Sequence, residues 1–291
     1  MAGAIGPATR RAAAPVERAA RGVARAGRPW LQRGARLGYA AKGVVYLTLG
    51  VIALQGAGGG GRTTDSRGAI ATLAQQPAGT VLVLLVGIGL LGYAAWRIIE
   101  AATGAESEGT DGKGVAKRVG HAASGVIYGV LGVWALRLLA GRESAAGAGS
   151  GASTQHWTAR LMALPWGRGL VAAAGLGVIG YGLYQLYRAA TSDVRKHLAL
   201  HDAGADTEQW IVRLGRAGMG ARGVVFGVVG GFLVLAALRH DPSRAGGLAE
   251  ALAAVERAPY GAALLAAVAV GLMAYGAFQL VNARYRRVAT A

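Results

Sequence analysis

Charged and amide side chains recur at matched places inside runs of sequence that are otherwise apolar. Lys42 stands near the start of one run, with Ser124 and Arg222 at the corresponding places of two later runs. Arg97 and Glu100 stand near the end of another, matched by Gln185 and Arg188 and then by Gln279 and Asn282. Ionisable groups inside a membrane span are costly and tend to serve a ligand, a path for ions or protons, or a partner of opposite charge. Cations and amides gathered this way can hold an anionic substrate or a lipid headgroup. A simpler reading needs no ligand: the long side chains snorkel to the interface and Lys42 pairs with Glu100. A central Lys or Arg costs about 2.5–3.5 kcal/mol on the insertion scale, and less near a helix end. That cost is small enough for snorkelling and pairing to be the preferred expectation.

Other chemistries find weaker support. His197 and His201 are four apart and followed by Asp202, a spacing that can hold a metal on one helix face. Position 198 is Leu, so the zinc-protease pattern is absent, and a surface helix is the expectation. The chain has no cysteine, which excludes disulfides, thiol catalysis and Cys-ligated metals. Ala122-Ala123-Ser124-Gly125 faintly resembles the serine motif of rhomboid-type proteases. Its first Gly is missing, and no His lies in the last two apolar runs to act as the base that a Ser nucleophile needs. Gly87-x-Gly89-x-x-Gly92 and Gly175-x-Gly177-x-x-Gly180 match a dinucleotide fingerprint in pattern only. A phosphate cradle needs a strand before the glycines and a helix start after them, whereas these lie within apolar runs where small residues let helices approach closely. No cofactor, metal site or catalytic residue is expected.

The elements that position these residues are helices. Apolar runs at about 37–55, 80–99, 119–139, 169–187, 217–238 and 260–281 each have roughly the 17–25 residues of a bilayer span. A helix satisfies its own backbone hydrogen bonds in lipid. Charged residues make up only 15% of the chain and hydrophobic ones 53%, a balance that offers water little polar surface. The net charge of +17 raises nucleic acid as a partner, but the cations gather in the N-terminal stretch and alternate loops, so none is expected. Counting Lys and Arg gives eight before residue 37, three and five in the second and fourth loops, and three at the C-terminal end. Those 19 stand against eight in the first, third and fifth loops, so both termini are expected in the cytoplasm. Arg18, Arg21, Arg25 and Arg28 share a helical face, and Pro29 closes the stretch, which reads equally as a helix lying on lipid headgroups or as a solvated, disordered positive tail that fixes topology. The bilayer, through anionic headgroups at this basic tail, is the expected partner.

A repeat organises the runs. Gly43-Val44-Val45-Tyr46 recurs as Gly125-Val126-Ile127-Tyr128 and as Gly223-Val224-Val225-Phe226. A Gly follows seven residues after the first in each copy, at Gly50, Gly132 and Gly230. Each copy's second run opens with Pro-x-Gly, at Pro77, Pro165 and Pro259, and sixteen residues later comes Tyr93, Tyr181 or Tyr275. Spacings of three and four put Gly43, Tyr46 and Gly50 on one face, as they do Gly125, Tyr128 and Gly132, and Gly223, Phe226 and Gly230. These faces are expected to pack on a neighbouring helix. Short helices are expected between the runs of each pair, near 68–76, 155–164 and 246–258, capping the bundle from outside.

The stretches at 38–46, 76–79 and 91–101 (GYAAKGVVY, QPAG and LGYAAWRIIEA) resemble a bacterial family known as domain of unknown function 1206. The resemblance covers about residues 33–285 and is weaker in the later copies, where Ser124 takes the Lys42 position and Ala274 replaces the Gly before Tyr. It implies a multi-pass protein of the bacterial inner membrane and no activity. The expected fold is all-α: six transmembrane helices as three tandem helical pairs in a pseudo-three-fold arrangement. Its parts are a basic tail at 1–36, repeats at 37–103, 117–191 and 213–285, linkers at 104–116 and 192–212, and a tail at 286–291. The expected function is that of a structural or accessory membrane component without catalysis. The alternative is a small-solute or ion transporter or channel with a pathway between the repeats.

Overall fold

The computed structural model of the chain describes residues 28–59, 63–103, 112–145, 148, 152–191 and 205–285. Six helices in them are long and apolar enough to cross a membrane: α1 (Arg28–Ala57), α3 (Gly79–Thr103), α4 (Gly112–Leu139), α6 (Gly167–Thr191), α7 (Ala205–Arg239) and α9 (Gly261–Tyr285). Three short helices join the two long ones of each repeat: α2 (Ser66–Ala74), α5 (Ala152–Met162) and α8 (Leu248–Arg257). Among the described residues no strand occurs.

Several helices begin earlier than the apolar runs suggest. α1 starts at Arg28, so Pro29 opens a helix rather than closing one; Pro lacks only an N–H that the first turn leaves unused. α4 and α7 likewise start at Gly112 and Ala205, inside the stretches expected to be linkers. Hydropathy marks only the part of a helix that lies in lipid, and these helices continue beyond it. The basic face at Arg18 to Arg25 and the His197, His201 and Asp202 group lie outside the described residues.

The Pro-x-Gly turns set the entry to α3, α6 and α9. At each Gly the chain doubles back so closely that a side chain would strike the last carbonyls of the preceding short helix: those of Ala74 at Gly79, Leu161 at Gly167 and Glu256 at Gly261. Asp65 caps α2, accepting from the backbone N–H groups of Arg67 at 2.7 Å and Gly68 at 3.1 Å. After α7, Asp241 accepts from the hydroxyl and the backbone N–H of Ser243, and these bonds hold its carboxyl below the usual range.

Packing runs mainly between repeats. The second long helix of each repeat lies against the first of the next: α3 on α4, α6 on α7, and α9 back on α1. Small residues make this possible. A Cβ on Gly43 would lie 2.9 Å from the Gly276 carbonyl, and one on Gly50 would lie 2.8 Å from that of Ala269. Gly125 and Gly132 stand equally close to the carbonyls of Ala94 and Gly87, at 3.2 and 3.1 Å, as do Gly223 and Gly230 to those of Gly182 and Gly175, at 2.9 and 2.7 Å. Within repeats the picture is uneven. α1 packs on α3 and α7 on α9, but α4 and α6 make no comparable contact. The packing therefore departs from a regular three-fold ring at the second repeat.

Candidate functional site

The same aromatic contact forms at all three inter-repeat interfaces. Tyr93 of α3 meets Tyr128 of α4 edge-on at 5.2 Å between centroids. Tyr181 of α6 meets Phe226 of α7 at 5.2 Å, and Tyr275 of α9 meets Tyr46 of α1 at 4.8 Å. The pairs join the position between the two glycines of a first helix to the repeated Tyr of a second. Edge-to-face geometry sets the positive rim of one ring on the negative face of the other, about 0.5–1.5 kcal/mol beyond burial.

Two cations sit among these rings. Lys42 is 4% exposed; its Nζ donates to the Tyr93 hydroxyl at 3.1 Å and lies 4.4 Å from the ring centres of both Tyr93 and Tyr128. Arg222 is 8% exposed; it donates to the Tyr275 hydroxyl at 2.7 Å and stacks over Tyr275, Phe226 and Tyr46 at 4.4, 5.0 and 5.5 Å. Its Nε finds no acceptor. Both cations face the Tyr275 ring, from which Lys42 Nζ is 6.0 Å. Neither enters an ion pair among the described residues.

This overturns two expectations. Lys42 and Arg222 do not snorkel to the surface; both are enclosed. Nor does Lys42 pair with Glu100. Antiparallel register sets Gly38 of α1 against Gly89 and Tyr93 of α3, so Lys42, one turn further along α1, moves away from Glu100. Glu100 lies seven residues beyond Tyr93, about 10 Å along the axis. It pairs instead with Arg97 at 2.9 Å, and His121 Nδ1 of α4 stands 3.7 Å away. Arg97 also donates from Nε to the Tyr93 hydroxyl at 2.8 Å, so that oxygen receives both Lys42 and Arg97.

The remaining polar positions lie on α6 and α9. Gln279 and Asn282 are buried together in α9, with Asn282 donating to Gln279 Oε1 at 3.3 Å and to the Phe278 carbonyl at 2.9 Å. Gln185 is buried in α6, while Arg188 lies over the Tyr184 ring at 5.9 Å. The sequence reading missed Tyr93, Tyr275 and His121 as partners of the charges. A signal existed for Tyr93, which lies four residues before Arg97 on the same helix face.

Repeat two leaves its own pair unsealed. Tyr93 and Tyr275 are 1% and 6% exposed, but the equivalent Tyr181 is 43% exposed. Trp96 is buried against Tyr39 at 5.6 Å, whereas Tyr184 in the same position is half exposed. A Cβ on Gly38 would clash with Tyr93, and one on Gly218 would lie 2.5 Å from Tyr275 Cα. At the equivalent Gly120 nothing lies within 4 Å, nor does anything at Gly177 or Gly180. The helices on either side of the gap, α4 and α6, each carry one ring of the aromatic contacts at the cations: Tyr128 of α4 lies under Lys42, and Tyr181 of α6 meets Phe226, over which Arg222 stacks.

The profile of the family described as Domain of Unknown Function (DUF1206) matches three times, over residues 37–104, 119–192 and 217–286. The chain is 34% identical over 264 residues to the uncharacterized protein YxxB of Bacillus subtilis (strain 168), covering 90% of this chain and 93% of that protein. No solved structure matches significantly.

Proposed function

We propose the following from the premise that the chain belongs to the Domain of Unknown Function (DUF1206) family: it is a membrane-embedded accessory protein, without a reaction of its own, that binds an anionic group between its repeats. The observation that carries this is the pair of buried cations, Lys42 and Arg222, with no carboxylate partner among the described residues. An ion withdrawn from water costs several kcal/mol even after relaxation. A stacked ring returns about 0.5–2 kcal/mol, and a tyrosine hydroxyl about 1.5–3. These offset much of the cost but leave the positive charge in place, and an anion is the group that neutralises it. The alternative, conduction along the centre, draws less support, because the tyrosine contacts bridge the repeats in this conformation.

The protein is placed, in this reading, in the bacterial inner membrane with both termini cytoplasmic. The basic N-terminal stretch then rests on anionic headgroups, and the cations lie toward the cytoplasmic leaflet. The reading rests on the 19-to-8 division of Lys and Arg. The test is binding of dodecyl phosphate to the purified protein in a zwitterionic detergent, followed by tryptophan fluorescence. Saturable binding that weakens in Lys42→Met and in Arg222→Met is expected, with dodecyl phosphocholine inert. If both variants stay folded and bind as the wild type does, the cations are structural and the proposal fails. Solute flux into proteoliposomes would instead favour the transporter alternative.

A further inference from the structure

We infer that the ligand of this site is an anionic phospholipid of the surrounding bilayer, and that it enters sideways through the gap between α4 and α6. The inference rests on the anion-binding reading above and adds the class of ligand and its route. Three observations carry it. The first is that the gap belongs to repeat two alone: Gly120, Gly177 and Gly180 face open space where their counterparts touch a partner helix. The second is that Tyr181 is 43% exposed, although Tyr93 and Tyr275 are sealed. The third is the Arg222 guanidinium, more than nine-tenths buried, with no acceptor at Nε among the described residues and stacked over the Phe226 ring that Tyr181 meets.

The opening is flanked by spanning helices, so hydrocarbon is its natural filling. A small hydrophilic anion has no reason to approach from that side, and a neutral lipid offers nothing to the two cations. A phosphodiester on an acyl body satisfies both halves. Its chains lie along α4 and α6, and its charged oxygens reach inward to Arg222 and Lys42. Arginine suits this task because its planar fork binds phosphate oxygens in pairs.

The experiment uses the full chain in nanodiscs of phosphatidylcholine containing phosphatidylglycerol with a photoactivatable acyl chain. Labelling is expected to concentrate on α4 and α6 near Gly120–Ile127 and Gly177–Tyr184. Unlabelled phosphatidylglycerol should compete and extra phosphatidylcholine should not. Arg222→Met or Lys42→Met should weaken labelling about ten-fold, the change expected when a hydrogen bond to a charged group is lost. Gly177→Phe, which fills the gap where no atom stands within 4 Å, should block labelling by the lipid, and unchanged labelling in that variant overturns the lateral route.

Even labelling of all six outer faces overturns the inference, as does equal competition by phosphatidylcholine; neither comparison needs a variant. If dodecyl phosphate binds but the photolipid does not label the gap, the anion site stands and the lateral lipid is wrong. If neither binds, the underlying reading has failed. A dimer by light scattering with an unlabelled gap also overturns the inference, since a second copy would then fill the space.

Discussion

Arg97 and Glu100 form an ion pair, whereas Lys42 and Arg222 enter none among the described residues, and this difference is open to measurement. Glu100 is almost fully buried and lies 2.9 Å from Arg97. Removing one member of such a pair leaves the other charge stranded, at a cost of about 3–5 kcal/mol. Glu100→Gln is therefore expected to lower stability markedly, and Arg97→Met combined with it to restore most of the loss. Lys42→Met combined with Glu100→Gln should restore much less, because Lys42 bonds Tyr93 rather than the carboxylate. Melting of the single and double variants in detergent checks this. A larger coupling for Lys42 than for Arg97 would mean that the two helices sit in a different register.

At the scale of the element, glycine decides which helices touch, and the three repeats use equivalent glycines differently. Gly43→Leu would drive its side chain into Leu280 and the Gly276 carbonyl, where even a Cβ stands only 2.7 Å from Leu280 Cδ2. Overpacking of this kind costs about 1–3 kcal/mol or more. Gly38→Ala and Gly218→Ala should also destabilise, since Tyr93 and Tyr275 occupy the space a methyl would take. The equivalent Gly120→Ala should be neutral or stabilise by up to about 1 kcal/mol, the intrinsic helix preference of Ala over Gly. Thermal unfolding of the three alanine variants side by side is the measurement. Equal losses in all three would show that α4 and α6 close in the membrane as the other two pairs do.

On the scale of the whole molecule, the division of charge predicts its orientation. Reporter fusions at Ala291 should be active with a cytoplasmic reporter and silent with one that requires export. Activity of the exported type would invert the molecule and move the cations to the outer leaflet. The packing of α9 back on α1 also makes the third repeat the partner of the first. A chain cut after repeat two would expose the glycine face of α1 and lose the ring contact between Tyr46 and Tyr275.

Much of this architecture was legible in the residues. Six spans, three tandem pairs and the family follow from apolar length and a spaced pattern of Gly, Pro and Tyr, because each is a local property of the chain. The face formed by Gly43, Tyr46 and Gly50 was legible for the same reason: helical period fixes which residues lie together whatever the neighbour is. Which neighbour it is, α9 rather than α3, was decided only by tertiary structure, as was the partner of Glu100. Both depend on antiparallel register, and matched glycines on several helices permit more than one register. The unsealed second repeat is the clearest case. Gly120 and Gly177 hold the same places in their repeat motifs as Gly38 and Gly89, five before Gly125 and twelve after Pro165, so sequence assigns them the same contact. Whether two helices meet depends on the sum of contacts along both, and only the tertiary structure shows that α4 and α6 pack on α3 and α7 rather than on each other.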